Sequence, residues 1–386
     1  MGDEQLTVAA PTITDRVFKK PLLCGPGPCD IYPSVIEALS LPVISAMCDE
    51  YYKVEEDILK GLQYTFQTKS RLILPISGSG HAGMETVISN LIAPGEKILI
   101  AQRGIWDDRA YVMSKRYVIK VESNTTFTRN QIEDALVLHR PKALFITHGD
   151  SSTGTVQDLR GLGDLCQKYN ALLLVDTVVS LAGVPFFMDA WKVDAVYTST
   201  QKAFSGPAGI SPVAFSERAE KCINNRTHEP PFYFDVKLLA QQWNCYGDTR
   251  AYHHTLSPPL IWALRACLKE LIKETLPVMW ERHERNTRRF MENIKSLPLK
   301  YYVPKASDRL ATVTTLYLPK GYDYKQFVYY MRDKHNILIF GGLGPTAGKT
   351  LRVGIMGINS TPKIADDLAY AMADTLVALA NPNSKL

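Results

Sequence analysis

The sequence predicts an α/β fold, with a large domain built on a mainly parallel sheet and a smaller C-terminal α+β domain. Short runs rich in Val, Ile and Leu recur between residues 72 and 198, with helical segments between several of them. Strands covered on both faces read as continuous apolar runs, which is the pattern of a parallel sheet. The order then changes to a long helical stretch followed by separate strands and a last helix. The chain has 386 residues, 46% apolar and 22% charged, so it can bury a large core without a disulfide or metal staple.

Taken in order, residues 1–22 read as an extended arm with few periodic apolar positions. Cys24-Gly25-Pro26-Gly27-Pro28 is a stiff turn-rich segment that fits neither a helix nor a central strand. Strands are expected at Leu72–Ile76, Lys97–Ala101, Ala143–Thr147, Leu172–Val175 and Ala195–Thr198. Helices are expected at Ala82–Ile92, Gln131–His139 and Leu159–Tyr169. Pro259–Leu297 reads as one long helical region, charged on one side. Strands at Leu310–Leu318 and Leu351–Ile355 and a helix from Pro362 complete the chain. These elements divide it into the arm, a large domain over 23–275 and a small domain over 276–386.

Lys plus Arg is 44 and Asp plus Glu is 39, a net charge of 44 − 39 = +5, with no dense basic block to bind nucleic acid. The seven cysteines are odd in number and form no CxxC pair, which argues against a disulfide framework and a structural zinc site. The first twenty residues lack the apolar stretch of a secretory signal, and no run approaches a membrane span. The N-x-S/T triplets at Asn124, Asn225 and Asn359 are therefore read as chance. Ser384-Lys385-Leu386 ends the chain, and a terminal S-K-L is an address read by the peroxisomal import receptor.

Several constellations carry chemistry. Ser77-Gly78-Ser79-Gly80-His81-Ala82-Gly83 joins a strand to a helix, where glycines and helix N–H groups favour an anion. Gly78, Gly80 and Gly83 spell the dinucleotide fingerprint G-x-G-x-x-G. Its acidic partner is replaced by Gln102 and Arg103, so an NADP-dependent oxidoreductase remains one reading. A cradle for a single phosphate group and a bare turn are the others.

Asp176 follows an apolar strand and sits at the rim of the sheet, where ligands of α/β proteins bind. A lone Asp there usually caps a turn, and a functional role requires a cationic partner. Lys202 follows the next strand, among Ser199, Thr200 and Ser205. A desolvated lysine forms Schiff bases with aldehydes, and such a lysine with an Asp for a pyridinium nitrogen is the pattern of a pyridoxal phosphate site. Trp106 could stack on the ring or pack in the core, and Ser151 could bond the ring oxygen or cap a turn. Tyr252-His253-His254-Thr255 offers hydroxyls to a phosphate, while the adjacent histidines are expected to point apart and share no metal. Arg352 lies within an apolar strand and needs an anion, either a substrate carboxylate or an internal acidic residue.

Together, in this order, these residues resemble the class V aminotransferases of the type I pyridoxal phosphate fold. The blocks that carry the likeness are GPGP at 25–28, SGSGH at 77–81, GIW at 104–106, THGDSSTG at 147–154, LLLVD at 172–176, STQKA at 199–203, YHHT at 252–255, GGLGP at 341–345 and LRVGIMG at 351–357. The resemblance implies a homodimer that moves an amino group from L-alanine to glyoxylate, giving pyruvate and glycine. Serine–pyruvate and 3-hydroxykynurenine transamination are its alternatives. It implies that Lys202 holds pyridoxal 5′-phosphate covalently and then moves the proton, that Asp176 pairs with the ring nitrogen, and that Trp106 stacks on the ring. Ser79, Gly80, His81 and Gln201 are expected to line the phosphate and ring pocket, and Ser151 to touch the ring oxygen. Tyr252 and Thr255 are expected to reach the neighbouring subunit's phosphate, and the arm to wrap over that subunit. Arg352, with backbone near Gly27, is expected to bind the amino acid carboxylate. Cys29-Asp30 departs from the family pattern, and the added carboxylate is expected to disfavour acidic amino donors by like-charge repulsion.

Overall fold

The computed structural model describes residues 10–380, apart from 115, 116 and 249. Seven strands form the main sheet: β1 (Ile73–Ser77), β2 (Ile98–Gln102), β3 (Tyr117–Lys120), β4 (Ala143–Thr147), β5 (Leu172–Asp176), β6 (Ala195–Tyr197) and β7 (Ile210–Phe215). Their order is β1-β7-β6-β5-β4-β2-β3. Only β7 runs against its neighbours; the other pairings are parallel. Every residue of β4, β5 and β6 is buried, as the unbroken apolar runs require.

The register positions the chemistry. Thr147 of β4 pairs with Asp176 of β5, which pairs with Tyr197 of β6, so the three lie side by side at the carboxyl ends of the parallel strands. Helix α1 (Gly80–Leu91) leaves the end of β1, and helix α2 (Ile105–Ser114) leaves the end of β2. Gly83 lets α1 approach the sheet: a Cβ there would overlap the Ser211 hydroxyl.

The long helical region is two helices, α3 (Pro258–Glu274) and α4 (Leu276–Asn293). They break at Thr275, whose φ is +72°, and Pro277 stands in the first turn of the second. Beyond them β8 (Lys300–Tyr301), β9 (Val313–Tyr317), β10 (Phe340–Gly341) and β11 (Thr350–Gly354) form an antiparallel sheet in the order β8-β9-β11-β10. Helix α5 (Pro362–Ala380) ends the described chain. Phe290, Leu316, Phe327, Val353 and Met372 belong to a second apolar core, separate from that of the large sheet.

The stiff segment near Pro26 ties the two cores together. Leu22–Leu23 pairs with Ile337–Leu338, Cys24 packs in the second core, and the Cys24 carbonyl accepts from Gly354 N–H at 2.7 Å. A few residues on, Cys29 N–H donates to the Gln201 carbonyl at 3.0 Å and Tyr32 N–H to the Ser205 carbonyl at 3.2 Å. Asp30 serves this strap rather than a ligand. Its carboxylate accepts from Asn359 Nδ2 at 2.8 Å and Leu23 N–H at 3.2 Å, and Lys20 lies 3.7 Å away. Asp30 is not among the residues that line the cavity described below.

Residues 10–20 of the arm have no regular structure, and Ile13, Val17 and Phe18 are exposed. The arm's first nine residues and Ser384-Lys385-Leu386 lie outside the described residues. Among those described, no helix is long and apolar enough to cross a membrane.

Candidate active site

A cavity opens at the carboxyl ends of β5 and β6, walled on one side by the start of α1. Ser79, Gly80, His81, Trp106, Ser151, Asp176, Gln201 and Lys202 line it, so sequence-predicted residues from five separate segments meet there. Tyr197, Met84, Gly149, Val178 and Val179 also line it, and sequence reasoning assigned them no role. Tyr197 could have been found from the alignment of the runs ending at Asp176 and Tyr197; the others are backbone and apolar wall that no motif marks.

Gly78 has a φ of +144°, and a Cβ there would sit 2.6 Å from that of Ala82. This glycine turns the chain from β1 into α1. Ser79 is the N-cap residue, yet its hydroxyl makes no capping bond. The first-turn N–H groups of a helix lack intrahelical acceptors, so this corner offers donors to an anion. Trp106 is half-buried, with Nε1 donating to Ser151 Oγ at 2.9 Å and the ring set edge-on to His81 at 5.9 Å. That is a cavity wall rather than core packing. The neighbouring Asp150 caps the turn, accepting from the N–H groups of Ser152 and Thr153, so Ser151 keeps its hydroxyl proton for a ligand.

Asp176 is 3% exposed and forms no ion pair among the described residues. Its Oδ1 accepts from Val178 N–H at 2.8 Å and its Oδ2 from the Tyr197 hydroxyl at 2.6 Å. Burial pushes its carboxyl up to about 6, against the pull of those two donors. Lys202 is 9% exposed, and its Nζ donates to the Pro26 carbonyl at 2.5 Å. Burial, with the Arg352 guanidinium as a second cause, lowers its ammonium to about 8. Gly27 faces this amine, and any side chain there would overlap Lys202.

Arg352 on β11 is 7% exposed, and no carboxylate of the described residues lies within 4 Å of it. Its Nε donates to the Gly341 carbonyl at 2.9 Å and its Nη1 to the Ser151 carbonyl at 3.0 Å. The internal salt bridge is thus ruled out as its reason for burial. A desolvated guanidinium held by two neutral acceptors beside the cavity is a receptor for an anion.

The structure settles the dinucleotide reading against it. Arg103 is buried, donating to Gln157 Oε1 at 3.1 Å and to the Thr147 carbonyl, with Asp107 and Asp150 offsetting its charge. It supports the turn beneath Trp106 and cannot meet a 2′-phosphate. The histidine pair also differs from expectation. His253 and His254 face each other, Nδ1 to Nδ1 at 2.9 Å, with His254 Nε2 on Ser77 Oγ at 2.9 Å. Tyr252 and Thr255 bond each other at 2.6 Å, are exposed, and line no part of their own chain's cavity.

An uncapped helix start, a free amine, a buried carboxylate and an aromatic wall fit the phosphate, aldehyde, ring nitrogen and ring face of one molecule. Fold and cavity define a pyridoxal phosphate enzyme. Comparison with known proteins agrees. Residues 43–364 match the family described as aminotransferase class-V. The chain is 40% identical to alanine–glyoxylate aminotransferase of Rattus norvegicus, covering 97% of this chain and 93% of that protein. It is 40% identical to the Drosophila melanogaster protein of the same name, covering 91% and 92%. Among solved structures, alanine–glyoxylate aminotransferase from Nostoc sp. superposes with a TM-score of 0.91 at 36% identity, covering 95% of this chain and 97% of that one. Ureidoglycine–glyoxylate aminotransferase from Bacillus subtilis also gives 0.91, at 26% identity and 96% of each chain. The chain belongs to the class V aminotransferases, and its cofactor is pyridoxal phosphate.

The depressed lysine sets a pH test. Only the neutral amine attacks the cofactor aldehyde. The rate at which cofactor-free protein gains a visible band on adding pyridoxal phosphate is expected to rise through a midpoint of about 8. Stopped-flow absorbance checks this; a midpoint at the ordinary lysine value of 10.5 would contradict the burial argument.

Proposed function

We propose that this enzyme transfers the amino group of L-alanine to glyoxylate, giving pyruvate and glycine, in two half-reactions at one site. The observation that carries the reading is Arg352, a buried guanidinium without a carboxylate partner among the described residues, set near enough to the Lys202 amine to depress its charge. An amino acid presents a carboxylate and an amine to such a pair, and a 2-oxo acid presents the same carboxylate with a carbonyl. The relatives named alanine–glyoxylate aminotransferase support this substrate pair.

Bound pyridoxal phosphate supplies an aldehyde for amine exchange and a ring that draws electrons from the substrate Cα. The residues do the rest. Lys202 Nζ would hold the aldehyde covalently and, as a free amine, would carry the proton between the substrate Cα and C4′. Asp176 keeps the ring nitrogen protonated. Trp106 covers one ring face, and the Ser151 hydroxyl donates to the ring oxygen. Ser79, Gly80 and His81 hold the phosphate, with Gln201 beside the ring. Arg352 and the backbone at Gly27 fix the carboxylate.

Assembly as a homodimer completes the phosphate site, with the partner's Tyr252 and the partner's Thr255 reaching it. The exposed hydroxyls of this chain's own pair and the bare apolar side chains of Ile13, Val17 and Phe18 support that arrangement. The two apolar cores support a division of the chain near Thr275. Ser384-Lys385-Leu386 supports a peroxisomal location, where the reaction removes glyoxylate made by oxidases.

A coupled assay of pyruvate formation from L-alanine and glyoxylate is expected to give parallel double-reciprocal lines. In the same assay Arg352→Gln is expected to raise KM for L-alanine about tenfold or more, from loss of a charged hydrogen bond of ~1.5–3 kcal/mol. An unchanged KM would remove Arg352 from the substrate site. Mixing subunits carrying Lys202→Ala with subunits carrying Tyr252→Ala and Thr255→Ala is expected to restore up to about a quarter of full activity, because hybrids rebuild one intact site. Mixtures no more active than their parts would place these hydroxyls outside the site. Deleting the last three residues is expected to leave activity intact and the tagged chain outside peroxisomes; continued peroxisomal import would discount the tail.

A further inference from the structure

We propose that Tyr197 is a positioning residue that keeps Asp176 ionised and aimed at the cofactor ring nitrogen. The proposal rests on the reading of Asp176 given above and extends it to a residue with no role in the sequence argument.

The geometry sets Tyr197 apart from an ordinary core tyrosine. It is the last residue of β6, directly paired with Asp176 at the end of β5. Neighbours in a parallel pair project to the same face of the sheet, and both side chains line the cavity. The hydroxyl donates to Asp176 Oδ2 at 2.6 Å, while Val178 N–H holds Oδ1 at 2.8 Å. Each carboxylate oxygen thus has one fixed donor, and the carboxylate keeps lone pairs for a third. Tyr197 is fully buried and cannot swing away. Its ring stacks on Phe145 at 6.4 Å, and Gly83 of α1 closes over its Cβ. Packing alone would be met by phenylalanine; the hydroxyl adds only the bond to Asp176.

That bond has an electrostatic consequence. Asp176 is faced by Lys202 and Arg103, which favour its charge, and by Asp150, which opposes it. His81 lines the same cavity, and Asp107 faces the Tyr197 hydroxyl. No cation of the described residues lies within 4 Å of the carboxylate, so its charge depends on donated hydrogen bonds. Its carboxyl already stands at about 6 with Tyr197 in place. Without the hydroxyl the raising effect of burial goes less opposed, and Asp176 takes up a proton closer to neutrality. A protonated Asp176 can no longer pair with a pyridinium nitrogen.

The test uses cofactor-free protein and pyridoxamine phosphate, which carries the ring and phosphate but no aldehyde to bond Lys202. Its affinity is measured by fluorescence titration from pH 5 to pH 9 for the native chain, Tyr197→Phe and Asp176→Asn. The probe's phosphate titrates in the same acid range but identically for all three proteins, so the difference between proteins is the readout. The Tyr197→Phe profile is expected to shift up by about one pH unit, giving about tenfold weaker binding near pH 5 and convergence with the native chain above pH 8. A purely structural tyrosine would weaken binding equally at every pH, and that result, or superimposed profiles, would overturn the proposal. Superimposed native and Asp176→Asn profiles would instead show that Asp176 does not hold the ring, and both readings would fall. Should Tyr197→Phe not fold, site-specific 3-fluorotyrosine at 197, a stronger donor of the same shape, is expected to shift the profile down; no shift would count against the proposal.

Discussion

The molecule depends on one costly arrangement: three buried ionisable groups with no ion pair among them, Asp176 and Lys202 lining one cavity and Arg352 bonded to the backbone of its wall at Ser151. Asp176, Lys202 and Arg352 are each less than a tenth exposed, yet none has an oppositely charged partner within 4 Å among the described residues. Burial moves all three toward neutrality, the carboxyl upward and the two bases downward. Charges held this way destabilise a fold unless a ligand compensates them. In the proposed function the cofactor ring nitrogen, its aldehyde and the substrate carboxylate are the matching groups. The site's chemistry and its cost have the same origin.

The rest of the fold makes that arrangement rigid. Parallel strands β4, β5 and β6 end in register, so Thr147, Asp176 and Tyr197 stand in a row that no single loop could hold. Below the row, Arg103 and Asp107 tie the turn carrying Trp106 to β4: Asp107 accepts from the Arg103 and Gly104 N–H groups and from the Thr147 hydroxyl. The strap around Pro26 joins the other side. It is bonded to the small sheet through Cys24 and to the Lys202 segment through Cys29, so the sheet that carries Arg352 is coupled to the Lys202 segment.

Much of this was legible in the sequence, for definite physical reasons. Buried parallel strands must be apolar throughout, which exposed β2, β4, β5 and β6 to within about a residue at each end. A lysine and an aspartate closing such runs, with a glycine-rich turn closing another, could only meet at one rim. Other features were hidden because they depend on tertiary contacts. The break at Thr275 lies in a sequence with full helical periodicity, and the following Pro277 also suits a helix start. Arg103 looked like a ligand for a second phosphate because nothing in the sequence shows that Gln157 and the Thr147 carbonyl enclose it. The bond between Asp30 and Asn359 was likewise hidden, because the two are more than three hundred residues apart. Tyr197 gave only a faint signal, the alignment of its run with the one ending at Asp176: a tyrosine ending a strand is usually core, and the register beside Asp176 gives its hydroxyl a purpose.

The claim at the centre of this account is that Lys202, Asp176 and Arg352 surround one cofactor that cycles between two amine states. The most direct measurement is the visible spectrum of the purified holoenzyme. A yellow band is expected that bleaches when L-alanine is added alone, returns when glyoxylate follows, and is absent from Lys202→Ala in the absence of substrate. A protein that remains colourless after incubation with pyridoxal phosphate, or whose band L-alanine leaves untouched, would contradict it.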